Sequence, residues 1–225
     1  MDVNTTIIAF IYFIGIALLL IFNEINYRRL NIKGEISRKF AHFVSTLATV
    51  IFPYIFSSHW YVLVLAIIFF IVLFITKNGT QLKSIHDIDR KSIGSYLLPL
   101  SIYITFFISE QLDNKLLYIL PMLILAISDP MAAIVGISLK KNNHKIIIFG
   151  IDTKKSIFGS GAFFLSSLII SLIALYFNRI SFDTTTLLIA FLVALVSSIG
   201  ELLSWRGSDN ISIPISVILV LTIFI

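Results

Sequence analysis

One long apolar stretch that contains a single acid decides the fold of this chain. Residues 116–138 read LLYILPMLILAISDPMAAIVGIS, and Asp129 is the one charged residue among them. About 20 mainly apolar residues are enough for a helix that crosses a bilayer. An ionisable group inside such a span costs about 2.5 kcal/mol or more, which makes it a functional candidate by default. The stretch therefore predicts a membrane helix that carries part of a functional site.

The whole chain shares this apolar character. Hydrophobic residues make up 58% of the 225 residues and charged residues 13%, and the mean hydropathy is +0.99. A soluble domain of this size could not cover so much apolar surface with so few charges. The sequence has no Cys, which excludes disulfides and thiolate metal sites. The composition predicts an integral membrane protein, and its net charge of +5 does not require nucleic-acid binding.

Eight apolar runs separated by short polar loops define the expected architecture. The predicted helices cover 5–23, 38–57, 60–76, 93–109, 116–138, 157–177, 185–205 and 211–225. We predict an all-α, polytopic membrane protein with eight spans, or seven if the short last run does not cross. Because no linker or soluble domain interrupts the chain, residues 1–225 are expected to form one membrane domain. The sequence does not set the oligomeric state, and a homodimer stays open.

The basic residues are distributed unequally between the two sides of the predicted membrane domain. If alternate loops lie on alternate sides, all of the 17 Lys and Arg residues except Lys115 and Arg179 fall on one side. Basic loops remain cytoplasmic. We therefore expect a cytosolic active site, since the polar motifs lie in the same loops. Richness in Ile, Asn and Lys, with minimal loops, favours a bacterial plasma membrane.

The residues after Asp129 suggest how it is used. Pro130 is expected to break the helix, while Ala132, Ala133 and Gly136 allow close helix packing. An acid at a broken helix suits a cation or phosphate site. Two alternatives stay open: an acid near the inner end of the span that reaches water, and a small transporter with its substrate site at the broken helix.

A second acidic segment lies near the end of the chain. Asp209 and Asn210 supply oxygen ligands at a turn, and hard cations such as Mg²⁺ prefer oxygen. Glu201 lies in the preceding apolar run. The alternative interpretations are an ion pair between Glu201 and Arg206, and a helix N-cap formed by Asp209-Asn210.

A basic turn opens the run that begins at residue 157. Residues 154–161 read KKSIFGSG, and backbone N–H groups at a helix N-terminus bind phosphate with help from Lys. The pattern is not a Walker A loop, because its glycines follow the lysine. A basic turn at the membrane edge is the alternative.

The fourth polar segment is residues 35–42, EISRKFAH. Glu35 and Lys39, and likewise Arg38 and His42, are i,i+4 pairs that face each other on a helix. His42 should face protein and not lipid. The alternative is a basic membrane anchor with one buried histidine.

Together, and in this order, these segments resemble the polyprenol kinase family, which includes dolichol and phytol kinases. The matching elements are Glu35…Arg38-Lys39…His42, Arg90-Lys91-Ser92-Ile93-Gly94-Ser95, Ser128-Asp129-Pro130 to Gly136, Lys155-Ser156…Gly159-Ser160, and Glu201…Gly207-Ser208-Asp209-Asn210…Pro214. The third and fourth elements are also similar to phosphatidate cytidylyltransferases, distant relatives that make a CDP-lipid. The chain departs from the kinase pattern after Gly136, where Ile137 replaces the usual Arg.

The resemblance implies Mg²⁺-assisted transfer of the γ-phosphate of CTP, or of another nucleotide such as ATP, to a membrane isoprenoid alcohol. In this interpretation Asp129 and Asp209 hold Mg²⁺, with Asn210 and Glu201 in support. The residues that bind the nucleotide and its phosphates are Lys155, Ser156, Gly159, Ser160, Gly136, Asp209 and Asn210. Arg38 and Lys39 neutralise the charge on the transferred group, and the base is Asp129, Glu201 or His42.

Overall fold

The computed structural model describes residues 3–30, 34–77, 79, 81–86, 92–139, 144–148 and 151–224. Within these residues the chain forms ten helices and one two-stranded hairpin. The elements are α1 (Val3–Leu30), α2 (Glu35–Thr49), α3 (Phe52–Ile55), α4 (His59–Thr76), α5 (Lys83–His86), α6 (Gly94–Gln111), α7 (Leu116–Ser138), β1 (Lys145–Ile148), β2 (Ile151–Ser156), α8 (Ile157–Arg179), α9 (Thr184–Leu202) and α10 (Asp209–Phe224).

The predicted all-α, polytopic membrane fold is confirmed. Each of the eight apolar runs is helical, and the second run is divided into α2 and α3 at a turn. Pro53 lies in the first turn of α3, a position where its missing N–H removes no helix hydrogen bond. By length and composition α1, α4, α7, α8 and α9 can cross a membrane, whereas α10 is apolar but shorter. The expected total of eight crossings stays a prediction.

The break expected at Pro130 is wrong, because α7 runs without interruption from Leu116 to Ser138 with Pro121 and Pro130 inside it. A proline removes one hydrogen bond from the helix. Membrane helices tolerate this loss when neighbouring helices cover the freed carbonyl. Asp129 therefore projects from an intact helix, and the premise of a substrate site at a broken helix is removed.

Helix α7 lies at the centre of the bundle. It packs against α2, α6, α8 and α10, and Tyr118, Leu120, Met122, Ile124 and Leu125 on it are fully buried. Six helix termini lie at one end of the bundle. They are the starts of α2, α6, α8 and α10 and the ends of α7 and α9. The polar residues at these termini are thereby collected in one place.

The hairpin between α7 and α8 was not predicted from the sequence. Strands β1 and β2 pair antiparallel, with Lys145 opposite Ser156 and Ile148 opposite Ile151. Strand β2 leads directly into α8 at Ser156, whose side chain caps this helix. The hairpin thus delivers Lys155 to the start of α8.

Two glycines allow α7 and α8 to cross closely next to this turn. A Cβ atom placed on Gly159 would lie 2.9 Å from the carbonyl oxygen of Ala132 and 3.6 Å from the Cα of Gly136. A Cβ on Gly136 would lie 3.0 Å from Ser156 Oγ. Real Cβ atoms are not found so close to a backbone oxygen, so the crossing requires glycine at position 159.

We expect Gly159→Ala to lower the free energy of unfolding by about 1–3 kcal/mol, the usual cost of overpacking. Gly161→Ala is the matched control, because a Cβ there meets nothing within 4 Å and alanine favours a helix by up to about 1 kcal/mol. Thermal unfolding in detergent compares the two variants. Equal stability of both would contradict the close crossing.

Candidate functional site

Charged and ionisable side chains from five elements meet at the end of the bundle where α2 begins. We call this group the charge cluster; its members are Arg38, Lys39, His42, Asp129, Lys155, Glu201 and Asp209. All of them are buried except Lys155, which is partly buried. The structure thus brings together the residues that the sequence predicted to be catalytic.

The first half of the charge cluster joins α2 to α7. Lys39 Nζ forms an ion pair with Asp129 Oδ2, and the two side chains are 7% and 4% exposed. His42 Nε2 lies 3.6 Å from the same carboxylate oxygen and 3.2 Å from the carbonyl oxygen of Leu125. Asp129 therefore does not reach water, which removes that alternative. Removing one partner of such a buried pair leaves an uncompensated charge.

The second half joins β2 to α9 and α10. Lys155 Nζ lies 2.5 Å from Glu201 Oε1 and 3.7 Å from Asp209 Oδ2. Burial lowers the pKa of the Lys155 ammonium, but the carboxylates of Glu201, Asp209 and Asp129 outweigh it, so this pKa lies above its ordinary value. Lys155 therefore stays protonated. The proposed ion pair of Glu201 with Arg206 is not formed; Arg206 instead stacks on Trp205, 4.2 Å from its ring centre.

Arg38 connects the two halves. Its guanidinium pairs with Glu35, with Nε 3.3 Å from Oε2, and it is attracted by both Asp129 and Asp209. The predicted local pair of Glu35 with Lys39 is therefore replaced by a pair with Arg38, because Lys39 reaches across to α7. Both i,i+3 and i,i+4 spacings allow contact on a helix.

Asn210 and Gly207 dock the segment before α10 onto the start of α6. Asn210 Nδ2 donates to the carbonyl oxygen of Gly94 over 2.6 Å, and Ile93 N donates to the carbonyl of Arg206 over 2.9 Å. Gly207 has a φ of 95°, and a Cβ there would lie 2.5 Å from Gly94 N. Glycine is needed at 207 for both reasons. Asn210 thus holds Asp209 in place, and its predicted role toward a nucleotide stays a prediction.

The predicted phosphate-binding turn lies beside Lys155. Ser156 Oγ accepts a hydrogen bond from Gly159 N over 3.3 Å, which is N-capping of α8. Ser160 Oγ is buried and has no hydrogen-bond partner among the residues described. Gly136 and Gly159 lie at the α7–α8 crossing, so helix packing explains both. Phosphate binding at this turn stays a prediction.

Some of the basic residues expected in the cytosolic loops lie outside the described residues, so their predicted position is not tested. They are Lys33, Arg90, Lys91, Lys140 and Lys141.

An apolar cavity, which the sequence did not predict, extends from the charge cluster into the bundle between α1, α2, α4 and α6. Arg38, His42 and Asn210 line its polar end. Its apolar lining includes Leu20, Leu65, Phe69, Leu73, Leu98 and Ile102. One signal was present in the sequence: Ala41, Ser45 and Thr49 continue the helical face of Arg38 and His42 at helical spacing.

The described residues contain no group of three His, Asp or Glu side chains arranged to hold a metal ion. In nucleotide sites, however, Mg²⁺ takes one or two carboxylates and completes its coordination with phosphates and water. Glu201 Oε2 is buried without a hydrogen-bond partner in the described part of the chain. A cation next to Glu201 and Asp209 would satisfy this oxygen, so these residues fit such an ion. Asp129, the other predicted metal ligand, is paired with Lys39, and its role toward a metal stays a prediction.

The sequence profile of the cytidylyltransferase family matches residues 3–205. The chain belongs to this family. An uncharacterised protein of Rickettsia prowazekii (strain Madrid E) is 37% identical over 125 residues, which cover 53% of this chain and 54% of the relative. The match therefore spans about half the length of this curated relative, and no solved structure matches the chain significantly.

We expect Asp129→Asn to abolish activity and also to destabilise the protein by about 3–5 kcal/mol, because Lys39 loses its buried partner. The double variant Lys39→Met/Asp129→Asn removes both charges and should recover most of the stability without recovering activity. Thermal unfolding measures the stability of both variants, and their turnover rates measure the activity. A wild-type rate in Asp129→Asn would exclude a catalytic role, and equal instability of both variants would contradict the pairing.

Proposed function

We propose that this cytidylyltransferase-family protein transfers the γ-phosphate of CTP to the hydroxyl group of a membrane isoprenoid alcohol, with the charge cluster facing the cytosol. The observation that carries the proposal is the position of His42. This side chain lines the polar end of the apolar cavity and lies 3.6 Å from Asp129. An alcohol whose tail fills the cavity would present its hydroxyl group to His42, whose ring is held by a hydrogen bond between Nε2 and the carbonyl oxygen of Leu125.

The contacts of His42 indicate which nitrogen acts as the base. Nε2 faces two acceptors, the carbonyl oxygen of Leu125 and a carboxylate oxygen of Asp129. In a neutral imidazole one nitrogen donates and the other accepts. The proton therefore resides on Nε2, and Nδ1 is left to accept the proton of the alcohol.

The need for a base favours an alcohol over phosphatidate. A hydroxyl group must lose its proton as it attacks phosphorus, whereas the phosphate of phosphatidate is already an anion and requires no base. His42, which lines the polar end of the cavity, is available as that base.

The nucleotide phosphates fit the start of α8. Lys155 and the positive end of the α8 helix dipole attract an anion, and Ser160 Oγ is a buried hydroxyl with no partner among the described residues. Glu201 and Asp209 would hold Mg²⁺ together with the phosphates, and Asp129 lies close enough to act on Lys155 electrostatically. When bound, Mg²⁺ supplies charge neutralisation on the triphosphate.

In the proposed step the alcohol oxygen forms a bond to the γ-phosphorus, and the bond from that phosphorus to the bridging oxygen breaks. The hydroxyl proton passes to Nδ1 of His42, and CDP leaves with the electrons of the broken bond. Arg38 and Lys39 lie next to His42 and counter the charge that develops on the equatorial oxygens. Phosphoryl transfer depends mainly on such positioning and charge stabilisation.

Attack at the α-phosphate is the second candidate function, and the family match favours it. Cytidylyl transfer to phosphatidate would form a CDP-lipid and release pyrophosphate. The apolar cavity and the phosphate-binding turn would serve this reaction as well. The two reactions differ in which phosphorus atom of CTP reaches the lipid.

CTP labelled separately in the α- and γ-phosphates distinguishes the two reactions. The purified protein would be given Mg²⁺ and either phytol, geranylgeraniol, a longer polyprenol or phosphatidate. We expect the γ-label in a phosphorylated alcohol and the α-label in CDP. The α-label in a lipid, with the γ-label in pyrophosphate, would show that cytidylyl transfer is the activity.

We expect His42→Gln to lower kcat with the alcohol by about 10²–10⁴-fold, the usual contribution of a general base. His59→Gln is the matched control: His59 also pairs with a carboxylate, with Nδ1 2.6 Å from Glu110 Oε2, but it lies at the start of α4, away from the charge cluster. Its kcat should remain close to the wild-type value. A similar loss in both variants would indicate a structural effect and not base catalysis.

A further inference from the structure

Aromatic side chains close the end of the cavity that lies away from the charge cluster. Phe52 lines the cavity and is 2% exposed. Its ring meets Tyr12 and Phe56 edge-on, at centroid distances of 5.2 and 4.9 Å. Val62 lies at the same end and is 1% exposed. Rings packed in this way form a rigid wall.

The spacing along α2 gives the depth of the cavity. The lining residues of this helix run from Arg38 at the polar end to Thr49 next to the aromatic wall. Eleven residues of helix at 1.5 Å per residue give a depth of about 16 Å. The hydrocarbon core of a bilayer is about 30 Å thick. The cavity therefore holds a straight tail about as long as one leaflet, and a longer tail meets Phe52.

The lining between the two ends behaves as apolar, although two hydroxyl groups are part of it. Ser45 Oγ donates to the carbonyl oxygen of Ala41 over 2.6 Å, and Thr49 Oγ1 donates to that of Thr46 over 2.8 Å. Both hydroxyl groups are thus satisfied by their own helix. Their carbon atoms are left to face the cavity, which suits a hydrocarbon tail.

We infer that Phe52 and Val62 form the floor of the tail site and limit the substrate to short isoprenoid alcohols, in the size range from farnesol to geranylgeraniol. This inference rests on the proposed function for the identity of the head group. The limit on tail length comes from the cavity itself. Longer polyprenols would leave part of their tail without a place in the bundle, so they would react poorly.

Variants of the floor change its depth in opposite directions. Phe52→Ala deepens the cavity, and Val62→Phe makes it shallower. Two ratios of kcat/KM are measured, each with geranylgeraniol as the reference substrate. The first is the ratio for a longer polyprenol, and the second is the ratio for farnesol. Because both substrates of a ratio are measured with the same preparation of a variant, a smaller fraction of folded protein lowers both rates equally and does not change the ratio. Phe163→Ala is the control, since Phe163 is fully buried but does not line the cavity.

We expect Phe52→Ala to raise the ratio for the longer polyprenol by about tenfold or more, as for other changes of pocket size. Val62→Phe should raise the ratio for farnesol to a similar extent, and Phe163→Ala should leave both ratios unchanged. Unchanged ratios in both floor variants would overturn the inference while leaving the kinase proposal intact.

A second measurement does not depend on catalysis. A geranylgeraniol analogue with a diazirine at the end of its tail would be photolysed with the wild-type protein and the labelled residues mapped. Labels on Phe52, Val62 or Thr49 would support the floor of the tail site. If no alcohol is phosphorylated in spite of such labels, the proposed function alone is refuted. Labels confined to lipid-facing residues would overturn the inference.

Discussion

The buried ion pair of Lys39 with Asp129 is the interaction on which the rest of the site depends. A charge in an apolar bundle is tolerated when a partner of opposite charge satisfies it. This requirement fixes the start of α2 against the last turns of α7. The same requirement ties Lys155 on β2 to Glu201 at the end of α9 and to Asp209 at the start of α10. The ends of distant helices are thereby held together.

The position of the charge cluster next to the apolar cavity unites two kinds of chemistry. Phosphate transfer requires fixed charges, and a membrane lipid requires an apolar channel. His42 belongs to both, because it lines the cavity and contacts Asp129. In the proposed reaction a lipid that enters the cavity would meet the charged groups with its head group alone, while its tail would remain in apolar surroundings. Arg38 lines the same end of the cavity and adds a positive charge there.

The sequence predicted the helices and the members of the charge cluster, since apolar length and buried charge are readable along the chain. It did not predict which charges pair. Glu35 and Lys39 have the spacing of a local pair. Asp129, however, is more deeply buried than Glu35, so its carboxylate gains more from a cation than that of Glu35 does. The break expected at Pro130 was wrong because packing against neighbouring helices compensates for the lost hydrogen bond. The cavity and the hairpin depend on contacts between elements, which the period of a single helix does not reveal.

Hydrogen exchange with a non-hydrolysable CTP analogue and Mg²⁺ tests the central claim most directly, namely that the charge cluster is a nucleotide site. The account predicts that the analogue slows exchange together in two segments that are distant in sequence, residues 153–160 and 203–211, because both border Lys155 and Asp209. The loop that joins α8 and α9, residues 180–183, should exchange at the same rate with and without the analogue. Unchanged exchange in both segments at saturating analogue, or protection confined to another part of the chain, would contradict it.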